Sequence, residues 1–143
     1  MQVKIKLLSD EAIVPSYQTE GAAGFDFHST VNQTLLPGER ALFKTGLAME
    51  IPPGYELQVR PRSGLALKQG VTVLNSPGTV DSDYRGEIGV IVINHSPNQV
   101  LDVKKGDKIA QGVFNKIKQA SFDVVEDLTE TERGAGGFGS TGV

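Results

Sequence analysis

Turn residues interrupt this chain so often that no long helix fits into it. Pro37-Gly38, Pro52-Pro53-Gly54, Pro77-Gly78, Pro97-Asn98 and Lys105-Gly106-Asp107 punctuate the first 107 residues. Proline removes a backbone donor and fixes φ, and glycine supplies the backbone conformations that tight turns need. Between these turns lie short apolar runs, several with the alternation of half-buried strands. The runs are Val3–Leu8, Phe25–Ser29, Thr34–Leu36, Ala41–Glu50, Tyr55–Arg60, Val71–Leu74, Glu87–Asn94, Val100–Val103, Ile109–Ile117 and Phe122–Val125. Only Ser63–Lys68 has the makings of a helix, a short one, with Ser63 as its cap. Many short strands with dense turns predict an all-β sandwich or barrel. With 143 residues the chain can bury one real core, and no repeat or second domain is visible.

Composition narrows the classes further. A net charge of −3 gives no bulk attraction to nucleic acid or to an anionic membrane, so a polyanionic ligand needs local cations. There is no cysteine, which removes disulfides and thiolate chemistry. Val3, Ile5 and Leu7 alternate with Lys4 and Lys6, the pattern of a strand and not of a signal peptide. No run approaches the ~20 apolar residues of a membrane span. The expectation is a cytoplasmic protein with no nucleic-acid or membrane partner.

Composition changes near Asp127. "DLTETERGAGGFGSTGV" lacks apolar periodicity, which divides the chain into a barrel, residues 1–126, and a flexible Gly-rich arm, residues 127–143. Composition alone reads the arm as a disordered tail. Arg133 and Phe138 stand out in it, because a guanidinium, an aromatic face, hydroxyls and glycine amides are the groups a tail would use to order over a phosphate-bearing ligand. Gly134-x-Gly136-x-x-Gly139 has the spacing of a dinucleotide fingerprint, but no strand precedes it and no helix follows. A phosphate loop fails as well, since Ser140 stands where its lysine must be.

Four further stretches carry candidate chemistry. "NSPGTVDSDYRGE", Asn75 to Glu87, places Asp81 and Asp83 beside a tight turn between apolar runs, where a carboxylate is either solvated punctuation or a positioned base. "PRSGLALK", Pro61 to Lys68, sets Arg62, the Ser63 hydroxyl and the amides of Ser63 and Gly64 at a strand-to-helix junction, either a plain capped turn or an anion site. "GDKIAQGVF", Gly106 to Phe114, places the amide of Gln111 among apolar residues, facing outward or facing a ligand. "AAGFDFHS", Ala22 to Ser29, puts Asp26 on the face opposite Phe25 and Phe27. His28 and His95 make no metal-binding spacing with each other or with carboxylates. Hydrolysis, if any, would then use a carboxylate base and a metal carried by the substrate.

Together with "RGAGGFGSTG" in the arm, these stretches resemble, in order, the five motifs of the trimeric dUTP pyrophosphatase (dUTPase) family, over Ala22 to Gly142. The resemblance implies a β-barrel-like jelly-roll subunit with one short helix and a homotrimer with shared active sites. It also implies Mg2+-dependent hydrolysis of dUTP to dUMP and pyrophosphate, which supplies the dTMP precursor and keeps uracil out of DNA. It makes Asp81 the catalytic residue, activating the water that attacks the α-phosphate. Asn75, Thr79 and Val80 would read the uracil, and Tyr84 would pack on the sugar and exclude a 2′-hydroxyl. Arg62, Ser63 and Gly64 would hold the phosphates with Gln111. Asp26 would reach Mg2+ through water, the ion having no direct protein ligand. Arg133, Phe138, Gly139, Ser140 and Thr141 would close over the substrate from the arm.

The first motif departs from the family's common form at Phe27 and His28, which leaves His28 without an assigned role; Asp83 also has none. Two other readings share this surface. A dCTP deaminase would need a buried glutamate near the base, and Glu87 is the available one. A dUTPase-like binding or regulatory protein would keep the surface without needing Asp81.

Overall fold

The computed structural model describes residues 1–142. Its eleven strands among the described residues are β1 (Lys4–Leu7), β2 (Phe25–His28), β3 (Gln33–Leu35), β4 (Arg40–Lys44), β5 (Leu47–Glu50), β6 (Tyr55–Arg60), β7 (Val71–Val73), β8 (Gly78–Val80), β9 (Gly89–Asn94), β10 (Leu101–Val103) and β11 (Lys108–Lys116). One helix, α1 (Ser63–Gln69), follows β6.

All pairings are antiparallel. A four-stranded sheet has the order β2-β11-β6-β8, a three-stranded sheet the order β4-β9-β7, and β1-β5 and β10-β3 form two-stranded ribbons. Alternation sends Phe25, Phe27, Leu57 and Val59 from the first sheet and Phe43, Val71, Val73, Val90 and Val92 from the second into one continuous core. This is the all-β architecture with one short helix that the turn-dense sequence predicts, in the jelly-roll form that the family resemblance implies. Among the described residues no helix is long and apolar enough to cross a membrane.

The expected strand Ala41–Glu50 is two strands. Gly46 sits between them at φ +69°, where a Cβ would lie 2.8 Å from Ala12 Cβ, so the chain turns there on a residue without a side chain. Two hydrogen bonds hold the bend: Thr45 Oγ1 donates to the Ile88 carbonyl at 2.6 Å, and the Gly46 amide donates to Glu87 Oε1 at 2.9 Å.

The stretch around Asp81 is more than a strand, a turn and a strand. β7 pairs with β9 in one sheet, while the residues between them cross over and β8 pairs with β6 in the other. The helix also starts differently. Ser63 is its first residue, Arg62 is the N-cap in extended conformation, and no side chain caps it; Gly70 closes the helix in the left-handed region. Phe122–Val125 forms no strand. From Lys116 to Ala135 every residue is exposed, and Phe122 and Val124 are almost wholly so.

Candidate active site

The sheet β2-β11-β6-β8 sends its apolar alternation inward and leaves a polar outer face. On β2 this face carries Asp26 and His28, and on β11 it carries Gln111, directly across from Asp26 on one side and from Arg60 on the other. The Gln111 amide donates to the Pro61 carbonyl at 2.9 Å, fixing the side chain beside the start of α1. Gly24 makes room for it: a Cβ there would lie 2.7 Å from Gln111 Oε1.

Asp26 is the centre of this cluster. Its Oδ1 lies 3.0 Å from Arg62 Nε, and its Oδ2 lies 2.9 Å from Lys108 Nζ. Three motifs distant in sequence thus meet at one carboxylate, whose side chain is 17% exposed. His28 stands across from Lys108. Burial lowers the pKa of His28 below 6.5; Asp26 pulls it back up, and Lys108 and Arg62 push it down. Its Nδ1 is buried without a hydrogen-bond partner.

Lys108 joins the cluster for a reason alternation hides. It is three residues before Gln111, so a regular strand would put the two on opposite faces. The register skips a residue, from Lys108 opposite His28 to Ala110 opposite Phe27. This bulge at Ile109 returns Lys108 to the face of Asp26, as bulges next to sites often do. The sequence quotes Lys108 inside its motif, but only the bulge reveals where it points.

Ser63 and Gly64 lie exposed in the first turn of α1, beside Arg62. Asn75, Thr79, Val80, Asp81 and Tyr84 lie elsewhere. β8 is the edge of its sheet, so alternate backbone groups of Gly78–Val80 face away from β6 and stay free for a ligand. Asn75 Nδ2 lies over Gly78, 3.4 Å from where a Cβ would be. Asp81 follows β8, is exposed, and opens a turn in which its carbonyl accepts the Tyr84 amide at 3.2 Å. The Tyr84 hydroxyl donates to the Glu87 carbonyl at 3.1 Å, and Gly86 leaves the space that the ring occupies.

Asp81 and Arg62 stand at opposite ends of β6. Val80 pairs with Leu57, which puts Asp81 level with Glu56, whereas Arg62 follows the other end of the strand. At ~3.3 Å per residue the separation along the strand is roughly 20 Å.

The arm residues meet neither group. Arg133 Nε donates to the Gly136 carbonyl at 2.8 Å, and Phe138 is fully exposed with φ +51°. Gly139, Ser140 and Thr141 are exposed too, and the hollow they border is lined by the arm alone, from Thr131 to Thr141. Among the described residues no three His, Asp or Glu side chains gather as a metal site.

A polar sheet face gathers cations at one end of β6, and an exposed carboxylate stands beside an open strand edge at the other, on a jelly-roll suited to a phosphate-bearing ligand. The comparisons name the kind. The dUTPase family model matches residues 10–142. A deoxyuridine 5'-triphosphate nucleotidohydrolase of Nautilia profundicola is 61% identical over 142 residues, covering 99% of each chain. That of Helicobacter hepaticus is 55% identical, over 100% of this chain and 90% of its own. The dUTPase of Staphylococcus bacteriophage 80alpha, solved with dUpNHpp, superposes with a TM-score of 0.92 at 30% identity, covering 99% of each chain. A mutant dUTPase of phage phi11 of S. aureus, described for its coordination of a structural Mg(II) ion, has a TM-score of 0.83 at 25% identity, over 91% of this chain and all of the other. The chain belongs to the dUTPase family.

Proposed function

We propose that the protein hydrolyses dUTP to dUMP and pyrophosphate in the cytoplasm, and that each active site is assembled from three copies of the chain. The dUTPase family match carries the reaction, and the observation that carries the sharing of the site is the distance along β6 between Asp81 and the Arg62 cluster. A triphosphate gripped by Arg62, Ser63, Gly64 and Gln111 of one copy does not reach Asp81 of the same copy. Cyclic symmetry solves this by letting one copy supply Asp81 and another the cations, with every site alike.

Within such a site Asp81 orients a water and takes its proton as the water attacks the α-phosphorus in line with the leaving pyrophosphate. Arg62 and the Ser63 hydroxyl stabilise the charge that develops on the leaving group. The open edge at Thr79 and Val80, with the Asn75 amide, reads the uracil. Backbone groups are fixed as donors or acceptors, so the amino group of cytosine would leave buried polar groups unpaired, which discriminates strongly. Tyr84, anchored through its hydroxyl to Glu87, packs on the deoxyribose and fills the space of a 2′-hydroxyl.

The oxygens of Asp26 fit a hard divalent ion reached through water, since a carboxylate in two ion pairs still has lone pairs to accept a water. Mg2+ carried on the substrate phosphates would supply charge neutralisation there. Residues 127–143 form the arm, which closes over a neighbouring copy's site with Phe138 on the uracil and Arg133, Gly139, Ser140 and Thr141 on the phosphates. An aromatic side chain fully exposed on its own chain is consistent with such a role.

Glu87 weighs against a deaminase. Its carboxylate accepts the Gly46 amide at the β4–β5 bend, a structural duty that takes it from the base. The test is direct: incubation with dUTP or dCTP and Mg2+, with pyrophosphate and ammonia both measured. Pyrophosphate from dUTP alone is the expected result. Ammonia from dCTP, or no product from either, would overturn it.

A further inference from the structure

We infer that Lys108 is a positioning residue for the phosphates, acting through Asp26 to keep the outer edge of the Arg62 guanidinium free. The inference rests on the reading of the site as a triphosphate-binding one.

The geometry is a competition for one carboxylate. Arginine prefers to grip a carboxylate with two parallel N–H groups. Here Arg62 Nε lies 3.0 Å from Asp26 Oδ1, while Lys108 Nζ lies 2.9 Å from Oδ2 and so competes for the second oxygen. One terminal nitrogen of Arg62, Nη1, donates a long hydrogen bond of 3.5 Å to the Lys108 carbonyl. Two cations on one carboxylate leave a net positive charge, with most of the guanidinium donors available to an incoming phosphate. Remove Lys108, and Oδ2 is free to turn onto a second N–H of Arg62. The arginine then spends on Asp26 the donors a phosphate needs, and the cluster loses its excess charge.

The bulge at Ile109 supports this assignment. It interrupts β11 two residues before Gln111, and its effect is to bring Lys108 to the Asp26 face. Lys108 lies outside the groups assigned above to substrate, and its side chain is 38% exposed, so replacing it leaves the core intact.

The experiment uses the full-length protein and two readouts: steady-state kinetics on dUTP, and calorimetric binding of inorganic tripolyphosphate. Lys108→Met should raise KM and weaken tripolyphosphate about tenfold, the scale of one charge-assisted contact, with kcat changed less than about twofold. Lys108→Arg should restore most of both. Asp26→Asn should not weaken tripolyphosphate, since it removes the charge that competes for Arg62, and adding Lys108→Met to it should cost no further affinity, because the lysine acts through that carboxylate. Wild-type KM and affinity in Lys108→Met would overturn the proposal. So would the full Lys108→Met loss in the double variant, which would mean that Lys108 touches the phosphates itself. So would parallel falls in kcat and melting temperature without a KM change, the mark of a structural lysine. Should Lys108→Met fold poorly, Lys108→Gln carries the same comparison. Tripolyphosphate binding remains readable if the wild type proves inactive on dUTP, so failure of the dUTPase reading and failure of this one are separate outcomes.

Discussion

Asp81 and Arg62 stand at opposite ends of β6, the first set there by the pairing of Val80 with Leu57 and the second by the chain's exit into α1. In the shared site proposed above, the base and the phosphate grip of one chain would serve different sites. Each group becomes separately testable, and the assembly becomes part of the chemistry.

Asp81→Asn should keep fold, assembly and substrate affinity and lose ~10²–10⁴-fold in kcat, the usual contribution of a general base. Asp83→Asn should be near wild type. Kinetics on both variants check this, and the reverse pattern would move the base to Asp83.

Removing residues 134–143 should abolish most turnover and barely shift melting. Gly134 through Gly142 bury no large side chain on their own chain, and Phe138 is fully exposed. A fall of many degrees in melting temperature would make the arm structural.

Tyr84→Ala should relax sugar discrimination, read as the ratio of kcat/KM on dUTP to that on UTP. Gly86→Ala should do the same from a distance, because its new methyl would occupy the place of the Tyr84 ring. An unchanged ratio in both variants would remove Tyr84 from the sugar site.

Acid should weaken the fold partly through His28. Burial, with help from Lys108 and Arg62, makes the folded protein hold this proton less tightly than the unfolded chain does. Unfolding then takes up protons. The stability His28 contributes is whole above pH 6.5 and is lost as pH falls through that value toward its lower folded pKa. His28→Gln should lose less stability between about pH 8 and pH 5, measured by urea midpoints. Identical pH dependence in both proteins would contradict it.

The barrel was largely legible because alternation and turn residues are local signals. Tyr55–Arg60 is a strand over the full run that the pattern marks, and Phe25 and Phe27 turn inward while Asp26 turns out. Non-local features were not legible. Pro77-Gly78 gives the β8 stretch the pattern of a turn, yet β6 recruits Gly78–Val80 as an edge strand. Ala41–Glu50 looks continuous until Glu87, far along the chain, fastens Gly46 into a bend. Phe122–Val125 has strand composition but pairs with no strand among the described residues, and a lone strand has nothing to hydrogen-bond. In the site, Asp26, Arg62 and Gln111 could be nominated by residue type, but Lys108 could not, because a bulge has no signature in alternation.

The shared site is the central claim, and complementation measures it. Asp81→Asn and the chain lacking residues 134–143 are each expected to be inactive. Co-refolded at equal ratio, they form mixed trimers, to be verified by native mass spectrometry. If each site draws Asp81 and Phe138 from different copies, about a quarter of sites receive both intact groups by random assortment. Activity should therefore return on mixing to roughly a quarter of wild type. If the arm closes over the Asp81 of its own chain, no mixed trimer holds a complete site. Verified mixed trimers with no recovered activity would contradict the account.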